Sequence, residues 1–315
     1  MINLSVIIPT RNRADTLSTT LVSIERQTLD QSLFEVIVCD NNSTDNTSEV
    51  AHSYSNKFHN FKYIKTIEPG LHVGRNKGYQ EAKGNILVYI DDDIEAFPEL
   101  LYTINEVFKD DEVMLVGGKN LPKWEVDPPD WAIDMWTPNK DSERILCYFS
   151  IIDLGNQIKE IDPSYVFGCN FSVRKSIIAQ TKGFHPDGMP QEIIEYRGDG
   201  ETAISNYIST KGYKTIYHPN ASVYHLVPKQ RLSLDYLKRW SFNANVGASY
   251  IDIRAGKIVR FSFLKILRTY LSLCLFGNTI ERGIYFSGIK GYRFHQRKVQ
   301  KSPELKAWVM KDNYL

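Results

Sequence analysis

Ile86-Leu87-Val88-Tyr89-Ile90 runs directly into Asp91-Asp92-Asp93, and this stretch decides the fold. Five consecutive apolar residues, rich in β-branching, read as a buried strand. The carboxylates then fall at the strand's carboxyl end, where open α/β sheets hold their ligands. Grouping them is costly, because two like charges about 4 Å apart repel by roughly 4 kcal/mol at an effective dielectric of 20. A divalent cation turns that repulsion into attraction, and hard carboxylate oxygens suit Mn²⁺ or Mg²⁺. The plain alternative is a solvated acidic turn.

Outward from this strand, the first half of the chain alternates strand and helix signals. Leu4 to Pro9, Phe34 to Cys39, Phe61 to Ile64 and Val113 to Val116 read as further strands. Between them, Leu17, Leu21 and Ile24 form one helical face, with Asp15 as a candidate cap. Ser43 or Asp45 can cap a helix through Val50, and Pro98 suits a first helical turn. Alternating elements imply an α/β fold with a mostly parallel sheet flanked by helices. From Pro122 the pattern turns irregular, with Trp124, Trp131 and Trp136 among prolines, as in a long loop over a cleft. Tyr165 to Val173 reads as a strand, Glu201 to Lys211 as a helix ended by Gly212, and Tyr213 to Tyr217 as a strand.

Bulk properties narrow the class. The 315 residues suffice for one large α/β domain with an appendage. Four scattered cysteines, without CxxC spacing, suggest neither a zinc knuckle nor a redox pair and fit a reducing, cytoplasmic location. No secretory signal is visible at the start of the sequence. Residues 229–315 carry 17 Lys/Arg against 5 Asp/Glu, whereas the remainder carries 21 against 32. A basic tail on an acidic body points to an anionic surface.

Four motifs follow one another in order: Val6-Ile7-Ile8-Pro9-Thr10-Arg11-Asn12-Arg13, Asp40 with Ser43-Thr44-Asp45, Gly74-Arg75-Asn76-Lys77-Gly78, and Asp91-Asp92-Asp93. Their order and spacing resemble those of family-two inverting glycosyltransferases. That resemblance implies the GT-A fold, a Rossmann-like mixed sheet flanked by helices. It covers roughly residues 1–226, divided into a nucleotide-binding half, 1–118, and an acceptor half, 119–226. Residues 227–315 are then a basic, mainly helical C-terminal extension.

The resemblance implies roles for individual residues. Pro9, Thr10, Arg11 and Asn12 line the nucleotide pocket, and Asp40 accepts a hydrogen bond from the base, usually uracil. Arg75 reaches the nucleotide or its diphosphate, where a guanidinium fork matches paired oxygens. Asp91 touches the ribose, Asp92 lies beside it on the nucleotide side, and Asp93 ligates the metal. His225 adds a metal or diphosphate contact. Asn170 belongs to the sugar side; apart from the resemblance, Trp131 in the irregular loop is either an acceptor-side residue or a packing residue, and Asn170 equally suits a turn. The catalytic base comes from Arg197-Gly198-Asp199-Gly200-Glu201-Thr202. Counting back from Gly212-Tyr213 places Glu201 on the base position, where Asp is more usual, and leaves Asp199 as a competitor. Each residue also has a plainer reading: Asp40 as a turn residue, Arg75 as a surface residue, His225 as a packed ring, Glu201 as a helix-start carboxylate favoured by the macrodipole.

In the tail, Leu264, Leu267, Leu271 and Leu275 recur at helical spacing between Phe261 and Phe276. Lys265 and Arg268 make a spanning helix unfavourable. The sequence therefore offers either an amphipathic helix lying on anionic lipid, assisted by Arg254, Lys257 and Arg260, or a helix packed on the catalytic domain. No nucleic-acid recognition motif accompanies the charge.

The expectation is a metal-dependent transferase using a UDP-sugar and a glycan or lipid-linked acceptor in cell-surface polysaccharide or glycoconjugate synthesis. It would be cytoplasmic, or peripheral on the inner face of the membrane. Two alternatives stand beside it. One is a nucleotidyltransferase, although the chain lacks a G-x-x-x-x-G-K loop. The other is a non-catalytic nucleotide-sugar-binding scaffold.

Overall fold

The computed structural model describes residues 2–257, 263–275 and 277–315. Arg260, Phe261 and Phe276, which the sequence reading placed in or beside a tail helix, lie outside them. The chain divides into two units. The first comprises residues 1–185, 200–227 and 313–315, and the second comprises 186–199 and 228–312. The segment Pro186–Asp199 thus groups with the C-terminal residues, and the last three residues group with the first unit.

In the first unit the order is β1 (Leu4–Thr10), α1 (Ala14–Glu25), β2 (Phe34–Asn41), α2 (Thr47–Ser53), β3 (Phe61–Thr66), α3 (Leu71–Glu81), β4 (Ile86–Ile90) and β5 (Ile94–Ala96). There follow α4 (Leu100–Val107), β6 (Val113–Gly117), β7 (Asn120–Trp124), α5 (Asp130–Met135), β8 (Arg144–Leu146), β9 (Ile151–Asp153) and β10 (Lys159–Glu160). The unit closes with β11 (Asn170–Arg174), α6 (Lys175–Thr181), α7 (Thr202–Lys211), β12 (Lys214–Tyr217) and β13 (Val223–Val227).

Eight strands form the main sheet in the order β10-β12-β6-β11-β4-β1-β2-β3. β3, β2, β1 and β4 are parallel, and β11 runs antiparallel between β4 and β6. Side chains alternate across this sheet. Val6, Ile8, Val88 and Ile90 face one core with Leu17, Leu21 and Ile24 of α1 and Leu100 and Ile104 of α4. Ile7, Leu87 and Tyr89 face the other with Ile178 of α6 and Ile204 and Ile208 of α7. Burial on both faces is why these strands read as unbroken apolar runs. A Cβ at Gly78 would meet Ile7 Cγ2 at 2.3 Å, so glycine lets α3 lie directly on β1.

A second sheet, β5-β13-β7-β9-β8, occupies part of the stretch that the sequence left as irregular. Two further differences have local causes. α1 begins at Ala14 without Asp15 as its cap, because Asp45 from the next loop accepts from Ala14 N–H at 3.4 Å. The strand expected from Tyr165 begins only at Asn170. Upstream, the Gly168 backbone bends to meet two side chains of the site: its carbonyl accepts from Arg75 and its N–H donates to Glu201.

The second unit is helical: α8 (Leu234–Arg254), α9 (Phe263–Leu275), α10 (Thr279–Lys301) and α11 (Pro303–Val309). Asn278 and Glu281 form a reciprocal capping box at the start of α10. Segment 186–199 belongs here through Trp308 Nε1, which donates to the Tyr196 carbonyl at 3.0 Å, and the Lys298–Glu195 pair at 2.9 Å.

Candidate active site

The parallel strands deliver Thr10, Asp40 and Asp91 to one edge of the main sheet, at or just past the ends of β1, β2 and β4. Two loops are laced together there. Asn12 N–H donates to Ser43 Oγ at 2.9 Å, Thr44 N–H donates to Asn12 Oδ1 at 2.7 Å, and Arg13 N–H donates to Thr47 Oγ1 at 3.1 Å. Pro9 and Thr10 are buried, while Arg11 and Asn12 stand exposed at the rim. Asp40 is fully buried and accepts from Ser43 N–H at 2.8 Å and Tyr63 O–H at 2.6 Å. Burial, and then the bond to Asp40, raises the Tyr63 phenol above its ordinary range. A carboxylate has about four acceptor positions, so Asp40 keeps capacity for a further N–H donor.

Beyond β4, one ligand atom each from Asp91, Asp93 and His225 lies within 4.8 Å of the others. His225 is carried by β13 in the second sheet, which pairs with β5 immediately after the aspartates. Its Nδ1 is 2.7 Å from the Phe149 carbonyl, an acceptor only, so Nδ1 carries the proton. Nε2 then faces Asp93 Oδ1 at 3.2 Å. An imidazole lone pair against a carboxylate is repulsive unless a proton or a metal ion lies between them. Metal–ligand bonds of about 2.1 Å give adjacent octahedral ligands a separation of about 3 Å, which fits this pair. Two carboxylates and one imidazole held by a backbone carbonyl form a donor set whose oxygens suit Mn²⁺ or Mg²⁺ and whose nitrogen favours Mn²⁺ of the two. Burial pushes Asp92 up to about 7, against the opposing influence of Arg13. Asp91 is also raised, first by burial, with Arg75 working the other way. A dication in this corner would reverse that balance.

Two arginines neutralise the corner from opposite sides. Arg13 Nη1 lies 2.6 Å from Asp93 and 3.5 Å from Asp92. The sequence placed Arg13 at the end of the first motif but gave it no role of its own. Arg75, expected at the nucleotide, is 2 % exposed. It donates to Glu201 Oε2 at 2.9 Å and to the Gly168 carbonyl at 3.1 Å, with Asp91 at 3.6 Å. Gly168 N–H completes the frame by donating to Glu201 Oε1 at 3.3 Å. Glu201, at the N-cap of α7, is thus tied to the aspartates through one buried guanidinium.

The remaining candidates separate by place. Asp199 falls in the second unit and Glu201 in the first. Asn170 is buried and donates to Asn120 Oδ1 and the Ala221 carbonyl, which straps β11 to β7 and to the turn before β13. Trp131, half-buried on α5, has its ring 6.4 Å from that of Phe149, whose carbonyl holds His225.

Residues 5–180 match the family model described as Glycosyl transferase family 2. Glycosyltransferase AglE of Haloferax volcanii is 34% identical over 115 residues, 36% of this chain and 38% of that protein. The chain thus matches under two-fifths of that relative's length. Among solved structures, mannosyltransferase PcManGT of Pyrobaculum calidifontis, in complex with GDP-Man and Mn²⁺, superposes with a TM-score of 0.57 at 17% identity, over 98% of this chain and 83% of that one. TarS residues 1–349 of S. aureus, in complex with UDP-GlcNAc, gives 0.54 at 17% identity over 98% and 84%. These likenesses bear out the GT-A architecture.

Proposed function

The chain belongs to glycosyl transferase family 2, and from that premise we propose that it moves a sugar from a nucleotide-diphospho-sugar, a UDP-sugar, to a hydroxyl of a glycan or lipid-linked acceptor. Transfer would invert the anomeric carbon and depend on Mn²⁺ or Mg²⁺. The observation that carries this reading is the convergence of Asp91, Asp93 and His225 beside Glu201 through Arg75.

Asp40 would hold the base through its remaining acceptor position, and Asp91, expected at the ribose, would instead join Asp93 and His225 around the ion. The ion, when bound, takes up charge on the departing diphosphate. Glu201 removes the acceptor hydroxyl proton as the oxygen bonds to the anomeric carbon. The bond from that carbon to the diphosphate oxygen breaks in line, and its electron pair leaves with the nucleotide. Arg75 and Gly168 N–H fix the Glu201 carboxylate for this step. The other carboxylate beside Arg75, Asp91 at 3.6 Å, is assigned to the ion in this reading, which leaves Glu201 as the base.

The test is a melting-temperature panel of UDP- and GDP-sugars with and without Mn²⁺, followed by product analysis. A ligand that binds only the folded state raises the melting temperature. The expected outcome is a Mn²⁺-dependent rise with one UDP-sugar and release of UDP on transfer. Pyrophosphate release from a nucleoside triphosphate would indicate a nucleotidyltransferase, and Mn²⁺-dependent binding without turnover on any acceptor would indicate a scaffold.

A further inference from the structure

We propose that α9 is an interfacial anchor that lays the second unit on an anionic lipid surface. Leu264, Leu267, Leu271 and Leu275 are all exposed, two of them at 75 %. At about 100° per residue they fall within an arc of roughly 80° on one side of the helix. The other side is the packed one. Thr269 and Leu273 are half-buried there, and the Tyr270 ring lies 5.5 Å from that of Phe286 on α10. An exposed leucine stripe opposite a packed face is costly in water and calls for a cover.

Charge selects the cover. From Ile253 to Ile280 the sequence holds five Lys/Arg and no Asp/Glu. Lys257 and Arg268 are exposed in the structure, and Arg268 lies on the helix beside the leucine stripe. Cations flanking an apolar stripe match phospholipid headgroups above acyl chains. A second copy of this chain would bring the same positive segment against itself, which disfavours self-association here. Nor does the helix insert across a bilayer. Its 13 residues span about 20 Å against a hydrocarbon core of about 30 Å. Among the described residues, no helix is long and apolar enough to cross a membrane.

The experiment is sedimentation of the full chain with vesicles of phosphatidylcholine alone and of phosphatidylcholine with one-third phosphatidylglycerol, in low and high salt. It needs no sugar donor, so its outcome is independent of the proposed transfer reaction. Binding to the anionic vesicles is expected to exceed that to the neutral ones at least tenfold and to fall with salt. Each basic residue near the surface contributes about fivefold. Leu267→Glu with Leu271→Glu should abolish binding while leaving the melting temperature and turnover of a soluble acceptor unchanged, since both side chains are exposed. Lys257→Glu with Arg268→Glu provides a second variant that spares the leucines, and it should weaken anionic binding at least twentyfold. Equal binding to both vesicles, or none, would overturn the proposal. So would a dimer in light scattering that the leucine substitutions dissociate.

Discussion

Asp93 is shared: Arg13 Nη1 lies 2.6 Å from its Oδ2, and His225 Nε2 lies 3.2 Å from its Oδ1. One oxygen is thus held by a fixed cation and the other faces a metal-type ligand. Arg13 and a dication compete for the same carboxylate charge. Its side chain is 41% exposed, so the pair contributes only about 0.2–1 kcal/mol after solvent screening. Arg13→Ala should therefore tighten Mn²⁺ binding by about two- to fivefold, measured by titration without nucleotide. Weaker Mn²⁺ binding in this variant would mean that Arg13 supports the ion rather than competing with it.

Arg75 offers a test between two readings. A guanidinium that grips the diphosphate would raise the donor KM when shortened. A buried strut that aims Glu201 would lower kcat instead. The 2.9 Å bond to Glu201 and the near-complete burial of Arg75 favour the second. Arg75→Lys keeps the charge but loses the fork. It should cut kcat by about 10²-fold with donor KM within threefold, on the scale of misplaced catalytic groups. Arg75→Ala should cost about 1–3 kcal/mol of stability, because it leaves two partly buried carboxylates and the Gly168 carbonyl without their donor. Urea unfolding of the variants reads that separately.

Glu201→Gln keeps the shape and one acceptor oxygen but removes the basic carboxylate. Loss of general-base help typically costs 10²–10⁴-fold. The variant should lose turnover on that scale while still binding Mn²⁺ and UDP. Asp199→Asn should stay within fivefold of the parent protein. The reverse pattern in steady-state rates would move the base to Asp199.

How much of this was legible beforehand depended on distance along the chain. β1, β2 and β4 could be read because strands buried on both faces leave continuous apolar runs, and Asp40 and Asp91 mark their ends. The destinations of Arg13 and Arg75 could not. Their partners lie 80 and 126 residues away, and nothing local says where a guanidinium turns. β8 and β9 have three residues each, too few for any period to show. Segment 186–199 joins the C-terminal helices through Trp308 and Lys298, a pairing with no trace in local pattern.

The α3–β1 contact predicts a packing defect. Gly78→Ala places a methyl 2.3 Å from Ile7 Cγ2, deep in a fully buried layer. Overpacking of this kind costs about 1–3 kcal/mol. Combined with Ile7→Ala, the same change should cost less than the sum of the two, because the clashing atom is gone. Urea midpoints of the four proteins complete the cycle, and strict additivity would show that α3 shifts aside instead.

His295 gives the C-terminal unit an acid sensitivity. The ring is fully buried, with Nδ1 2.8 Å from Ser249 Oγ. Burial pushes it down to about 4 from an ordinary 6.5, although Glu195 works the other way. Folding therefore disfavours the proton. The stabilisation is complete above pH 6.5, where the ring is neutral in both states. It declines as pH falls towards 4, because the unfolded chain takes up a proton that the folded one refuses. The full loss is about 3 kcal/mol, at 1.36 kcal/mol per unit of difference. Hydrogen exchange of α8 and α10 amides should show their protection dropping between pH 6.5 and 4.5. His295→Gln should remove about that much of the pH dependence while leaving the carboxylate contributions in place. An identical slope in the variant would mean that other groups carry the acid response.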